Sequence, residues 1–279
     1  MPVQVLLADP AAFTVAAAQN PHMRDASGEL QRVDPEEARD QWEGLLAAFQ
    51  EAGLECHVLA ADPALPDLVF TANPSLLLPP KPGSEETEAW LSRMAHRSRR
   101  PEVALHASFF RGRGYGTHAF PEEAGSVEGH GDLLHHPGRP TLHVGLGSRS
   151  SAAAWDHLAR RRPDWGFEAY ILDDPRFYHL DTALAPLDET HALLVPSAFQ
   201  RGDLDRLQRA FPDHLLLEEE ESLRFAGNAW CPDRRHVFLQ AGLPRVEDWL
   251  AARGFQPVPV ETGEFLKSGG SVFCLKQAF

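Results

Sequence analysis

Apolar residues along this chain keep changing their spacing, from short strand-like runs to a helical repeat and back. The stretch "VQVLLA" (3–8) predicts a short strand. After a long polar interval comes "DPEEARDQWEGLLAAFQEAG", where Trp42, Leu45, Leu46 and Phe49 recur on one helical face. Asp34 stands at the N-cap, Pro35 at the first helical position and Glu37 three residues past the cap, while Gly53 can close the helix. "LECHVLA" predicts the next strand. The interval itself, residues 10–33, is poorly periodic, and a loop of that length inside a domain is commonly a lid or disordered.

The same grammar then returns. "DLLHHPGRPTLHVG" is two strands around a Pro-Gly turn, "SAAAWDHLARRR" a helix with Ser151 as its cap, and "FEAYIL" extended. "TALAPLDETHALLVP", "DLDRLQRAF" and "HLLLEE" repeat hairpin, helix and strand, as do "NAWCPDRRHVFLQ", "RVEDWLAARG" and "FQPVPV". The final "SGGSVFCLK" reads as a strand in need of a partner. A ββαβ unit returning every roughly fifty to sixty residues fits a ring of about five units whose loops converge on an axis. An ordinary α/β sheet is the alternative, because the repeats share a pattern and not residues.

Composition narrows the classes. A chain of 279 residues that is 43% hydrophobic can bury a large core, and residues 1–279 are read as one domain. No apolar run approaches ~20 residues and the start lacks a signal-peptide pattern, so a soluble, cytoplasmic protein without membrane partners is expected. Cys56, Cys231 and Cys274 are too few and too widely spaced for a disulfide framework, and none lies in a CxxC pair, which sets aside structural zinc. Asp plus Glu outnumber Lys plus Arg by 40 to 26, and the net charge of −14 argues against nucleic acid while suiting a cationic small molecule. The one basic run, Arg93 to Arg100, reads as the solvated end of a helix. The 14 histidines show no HxH or HExxH spacing, and His135 and His136, ahead of a Pro-Gly turn, are read as facing solvent.

Four stretches carry polar residues that the strand and turn pattern does not demand: "DLVFTANP", "VEGHGDLL", "FYHLDTAL" and "SGGSVFC". A cysteine in a terminal strand can be a buried small hydrophobe and nothing more. Gly269 and Gly270 change that reading for Cys274, since a Gly pair permits positive φ and close approach of another group to the backbone, which places Gly270 among the contact candidates. In "YHLDT", one residue separates His179 from Asp181, so an extended segment would put both on one face. Histidine plus carboxylate with a cysteine elsewhere makes a thiol nucleophile and its acid/base partner. Glu128 and Asp132 flank a Gly-rich turn, where carboxylates can bind a cation, orient a histidine or hold a metal.

Together with "QNPHM" near the start, these stretches resemble the guanidine-modifying superfamily of dimethylarginine dimethylaminohydrolases, arginine deiminases, arginine dihydrolases and amidinotransferases, over essentially the whole chain. The resemblance implies a five-fold pseudosymmetric α/β propeller. It also implies Cys274 as nucleophile, His179 as acid/base and Glu128 as the partner carboxylate, with no metal or organic cofactor. Asp132, Asp181 and Asn73 then face a cationic guanidino substrate, Arg149 its carboxylate, and Asn20 the ligand from a closing loop. Asn73 stands where dimethylaminohydrolases and deiminases carry an aspartate, which resembles the arginine dihydrolase branch. The segment after it, "LLLPPKPGSEE", has Lys81 but none of the arginine that relatives place there. Amidino transfer to an amine is the alternative enzyme reading, and a non-catalytic propeller that binds other proteins is the alternative of another class. Oligomeric state is not legible.

Overall fold

The Asp34 carboxylate accepts hydrogen bonds from the Glu36 and Glu37 amides, and Pro35 opens α1 (Pro35–Glu51) at a position whose N–H would have no helical acceptor. Trp42, Leu45 and Phe49 turn inward from α1 against Val5 and Leu7 of β1 (Gln4–Ala8). β1 pairs in parallel with β2 (Glu55–Leu59), as a strand–helix–strand crossover requires. The computed structural model, which describes residues 3–279, repeats this arrangement in five small sheets.

In the second sheet β3 (Ser75–Leu78) runs antiparallel to β4 (Glu88–Leu91), and α2 (Glu102–Arg111) crosses over to β5 (Gly116–Ala119), parallel to β4. The third has β6 (Leu133–His135), β7 (Thr141–Leu146), α3 (Ala152–Arg161) and β8 (Gly166–Ile171) in the same relation. The fourth has β9 (Leu184–Pro186), β10 (His191–Leu194), α4 (Arg201–Ala210) and β11 (Asp213–Leu216). After the short α5 (Glu219–Leu223), β12 (His236–Gln240) and β13 (Gln256–Val260) pair in parallel around α6 (Pro244–Ala251). A last turn of helix, α7 (Gly263–Leu266), leads to β14 (Gln277–Ala278), which pairs antiparallel with β1, so the two ends of the chain share a sheet. The fold is mixed α/β, with helices crossing between parallel strands. Among the described residues no helix is long and apolar enough to cross a membrane.

Several expectations change. "NAWCPDRRHVFLQ" is not a hairpin: before β12 only an isolated Trp230–Phe238 bridge pairs. "SGGSVFCLK" is a succession of turns, and pairing begins only at Gln277, because a side chain and not a neighbouring strand takes its amides. His179 caps a 3-10 turn at Leu180–Thr182, so "YHLDT" is not extended and the one-face argument for His179 and Asp181 does not hold. The basic run ends in a single 3-10 turn, Arg97–Arg99, ahead of α2 and not at the end of an α-helix, and it is not simply solvated, since Arg99 within it is only 5% exposed. His136 is buried too, stacked on Phe211 with its Nδ1 3.0 Å from Nε2 of His143, because the β6–β7 hairpin packs against the following sheet. His135 is half-buried against Trp165.

One step recurs at each unit. The first strand is entered from a segment of turns: 67–74 before β3, 127–132 before β6, 177–182 before β9, 226–228 before β12 and 268–274 before β14.

Candidate active site

These five entry segments bring together Asn73, Glu128, Asp132, His179, Asp181, Asn228 and Cys274, none more than 2% exposed. Cys274 is positioned through its backbone. Asn228 Oδ1 accepts from the amides of Ser271 (3.1 Å), Phe273 (3.1 Å) and Cys274 (3.3 Å), while its Nδ2 donates to the Asp181 carbonyl (2.8 Å) and lies 3.2 Å from Sγ. One side chain thereby satisfies a buried turn that lacks a strand partner. Gly269 holds φ at +82°, and a Cβ there would collide with the Tyr178 hydroxyl and Asn20; at Gly270 it would strike the Phe70 ring. The Tyr178 hydroxyl donates to the Gly269 carbonyl at 2.6 Å.

The Cys274 thiol donates to Asp181 Oδ2 at 3.2 Å. Burial first, and then the Asp181 charge, push the thiol well above its ordinary range, so it is protonated near neutral pH. Burial also pushes Asp181 up, to about 7. Among the described residues nothing hydrogen-bonds its Oδ1.

His179 stands between two carboxylates, with Glu128 Oε2 3.1 Å from Nε2 and Asp132 Oδ2 3.1 Å from Nδ1. Both contacts are ion-pair distances that do not lie along the N–H directions. Burial opposes the imidazolium, but Asp132 and then Glu128 outweigh it and hold the ring up at about 9. Asp132 is fixed by the Ser150 hydroxyl (2.6 Å) and the Leu180 amide (3.0 Å). Burial likewise opposes the Glu128 carboxylate, yet His179, Arg149 and Arg99 keep it well below the usual carboxylate range. Its oxygens accept from the Ala95 amide (2.9 Å) and Arg149 (3.2 Å).

Asn73 Oδ1 accepts from Arg99 at 2.9 Å, and Asn73 Nδ2 has no acceptor among the described residues. Arg99 is itself paired with buried Glu102 at 2.8 Å and donates to the Asp67 and Phe70 carbonyls. Arg149 also donates to the Gln19 carbonyl (2.9 Å) and lies 4.7 Å over the Tyr178 ring. Asn20 Nδ2 reaches the Ser268 carbonyl (2.9 Å), and Gln19 reaches Asp67 (2.8 Å), so residues 19–20 span the site. The cavity they cover beside Cys274 is bordered by Asn73, Arg99, Arg149 and Tyr178 and measures about 20 Å³, room for a single water. A much larger cavity of about 540 Å³ lies around Lys276, away from this chemistry.

Every site residue singled out in the sequence belongs to this cluster, but of them only Asn20, Asn73, Arg149 and Cys274 border the cavity, while Glu128, Asp132, His179, Asp181 and Gly270 do not. Asn228 and Arg99 escaped sequence reasoning. For Asn228 a signal exists: the other entry segments each supply a buried polar residue, and Asn228 holds the matching place before β12. For Arg99 the only signal is its spacing to Glu102. Among the described residues, no group of three His, Cys, Asp or Glu could hold a metal ion.

A sequence profile described as eukaryotic N,N dimethylarginine dimethylhydrolase matches residues 9–230. The chain belongs to the dimethylarginine dimethylaminohydrolase family. The dimethylarginine dimethylaminohydrolase of Mycobacterium tuberculosis is 34% identical over 268 residues, which are 95% of this chain and 82% of that protein. A bifunctional arginine dihydrolase/ornithine cyclodeaminase of Nostoc is 30% identical over 276 residues, and there the chain spans only 37% of the relative's length. The N-terminal domain of ArgZ, an arginine dihydrolase from Cyanobacteria solved with its substrate, is similar at a TM-score of 0.89 and 28% identity, over 99% of this chain and 97% of that one. A substituted variant of the same domain has been seen covalently bonded to a reaction intermediate. Membership of the dimethylarginine dimethylaminohydrolase family also places the chain in the guanidine-modifying superfamily.

Proposed function

We propose that this protein is a cysteine-dependent hydrolase that attacks the guanidinium carbon of arginine or a substituted arginine. One observation carries the reading: a buried thiol bonded to Asp181 and an imidazole flanked by Glu128 and Asp132 belong to one buried cluster, in which the Asn73 amide and the Asp181 carboxylate each keep a polar atom without a partner among the described residues. A guanidinium is a poor electrophile, so attack needs a thiolate, a proton for the leaving nitrogen and fixed acceptors for the planar cation. Asp181 Oδ1 and the Glu128 carboxylate supply acceptors. Arrival of the cation beside Sγ favours the thiolate, and the thiol proton leaves to solvent. Cys274 attacks, His179 gives its proton to the departing amine, and an S-amidino intermediate forms. His179, now neutral, takes a proton from water, which adds to the same carbon; the thiolate departs and the ureido product is left. Arg149 suits the carboxylate of an amino-acid substrate, and residues 19–20 must move to admit it.

In this reading the five sheets are blades of a five-fold α/β propeller around the entry segments, and residues 1–279 form one domain. Convergence of the five segments and the pairing of β14 with β1 support both.

Asn73 sharpens the substrate. Arg99 occupies its oxygen and its N–H groups have no acceptor among the described residues, and such donors suit a ureido oxygen as an aspartate would not. That favours a second hydrolysis of a citrulline-like product, as in the arginine dihydrolases it resembles. Incubation with arginine, methylated arginines and agmatine, with products identified by mass spectrometry, tests the reading. Two ammonia released per arginine are expected from the wild type and one from Asn73→Asp. Wild-type release of one leaves only the broader hydrolase reading, and no turnover of any guanidino compound overturns that as well.

A further inference from the structure

Lys276 is buried to 2% exposure two residues beyond Cys274, and its side chain borders the cavity of about 540 Å³. A buried ammonium ordinarily keeps a carboxylate or several carbonyls as partners. Among the described residues Lys276 Nζ has neither a hydrogen bond nor an ion pair, and it lies 3.1 Å from the Phe273 ring centre and 4.8 Å from that of Trp230. The walls are mostly apolar, with Leu77, Leu133, Leu134 and Leu187 among them, and no Asp or Glu side chain borders the space. In a chain of net charge −14 that is a local reversal of sign. Arg234 stands at the rim, paired with Glu189 at 2.9 Å, and His130 and His135 in the wall are kept neutral by burial. The volume lies within the usual range for small-molecule sites, ~300–1,000 Å³.

We propose that this cavity is a second small-molecule site, taking an amphipathic monocarboxylate whose chain lies against Leu133, Leu134, Trp230 and Phe273 and whose carboxylate pairs with Lys276. The guanidino site asks for a cation and this one for an anion, so the two stand or fall separately. Binding here would give the ammonium the direct carboxylate partner that it lacks, since Asp181 acts on it only from beyond ion-pair distance.

Octanoate, 1-octanol and octylamine share one chain and differ in charge, so calorimetric titration of the full protein with each separates the electrostatic part. Octanoate is expected to saturate one site and to bind at least tenfold more tightly than either of the others. Lys276→Met brings octanoate to the level of 1-octanol, and Cys231→Trp, which fills the cavity from a half-buried wall position, abolishes binding of all three; circular dichroism confirms that both variants fold. The proposal is overturned by absence of saturable binding in the wild type, by octylamine binding as tightly as octanoate, or by octanoate binding undiminished in folded Lys276→Met. Sedimentation showing two chains covering the cavity, with octanoate excluded, overturns it equally.

Discussion

Cys274 and Lys276 stand two residues apart in the same terminal segment, each only 2% exposed, and in different electrostatic company. Around Cys274 the buried charges come in opposed sets: Glu128 with Arg149 and His179, Arg99 with Glu102. Around Lys276 there are rings and leucines. Burial alone would neutralise every ionisable group in either place, and near Cys274 the neighbours decide which ones escape. The same burial that lowers most histidines in this protein is overcome at His179, which two carboxylates hold up at about 9. At Lys276 burial wins: the Asp181 and then the Cys274 charge favour the ammonium without offsetting it, and it is pushed down to about 7. Chemistry needs groups poised against their surroundings; a stranded charge marks a place that a ligand can complete.

The largest expected effect lies in the first region. Cys274→Ser should lower turnover by at least about 10³-fold, since a hydroxyl near neutral pH is a far weaker nucleophile than a thiolate. The thermal midpoint should move by no more than a few degrees, about the shift expected for ~1 kcal/mol or less. Activity retained in the serine variant would dissolve the contrast between the two regions. Next comes Asn228→Ala, which frees the turn that carries the thiol. A kcat lower by roughly 10²-fold is expected from misplacement, with roughly 2 kcal/mol of stability lost because buried amides are left unpaired. A stability loss with kcat intact would make Asn228 a brace and no more.

Those two residues also show what was legible in the chain. The α1 cap, the crossover strands and the stretches holding Cys274, His179 and Glu128 could be read locally, because caps, periodicity and Gly-rich turns act within a few residues. Asn228 could not, since its importance comes from amides more than forty positions away in "SVFC". Arg99 looked like part of a solvated run, because only the packed fold places Asn73 and the Asp67 and Phe70 carbonyls around it. His136 faces inward for the same reason, through contact between neighbouring sheets. Nothing in the pattern around Lys276 distinguishes it from an exposed lysine at the end of a strand.

In the second region the effect is on stability. Between the folded value of Lys276, about 7, and its ordinary 10.5, the unfolded chain binds a proton that the folded one does not. Stability therefore rises with pH across that window, by at most ~1.4 kcal/mol per unit. His179 works the other way between 6.5 and about 9, where the folded chain holds the extra proton. Subtracting wild type from Lys276→Met removes the histidine contribution. Urea unfolding should show the variant more stable at pH 7, with an advantage that shrinks as pH rises toward 10; a difference independent of pH would mean the ammonium is not stranded. The smallest effect belongs to Cys56→Ser and Cys231→Ser, which should keep full turnover in a steady-state assay, since burial leaves both thiols raised and neither joins the cluster. Loss of turnover in either would mean that the wrong thiol has been placed at the centre of the account.

The central claim is a covalent bond at Cys274. Acid quenching of the protein during turnover of arginine, followed by digestion and peptide mass spectrometry, reads it directly. The account predicts an amidino adduct on the peptide carrying Cys274, absent in Cys274→Ser and absent without substrate. Full turnover with Cys274 unmodified at every quench time, or an adduct on Cys56 or Cys231 in its place, would contradict it.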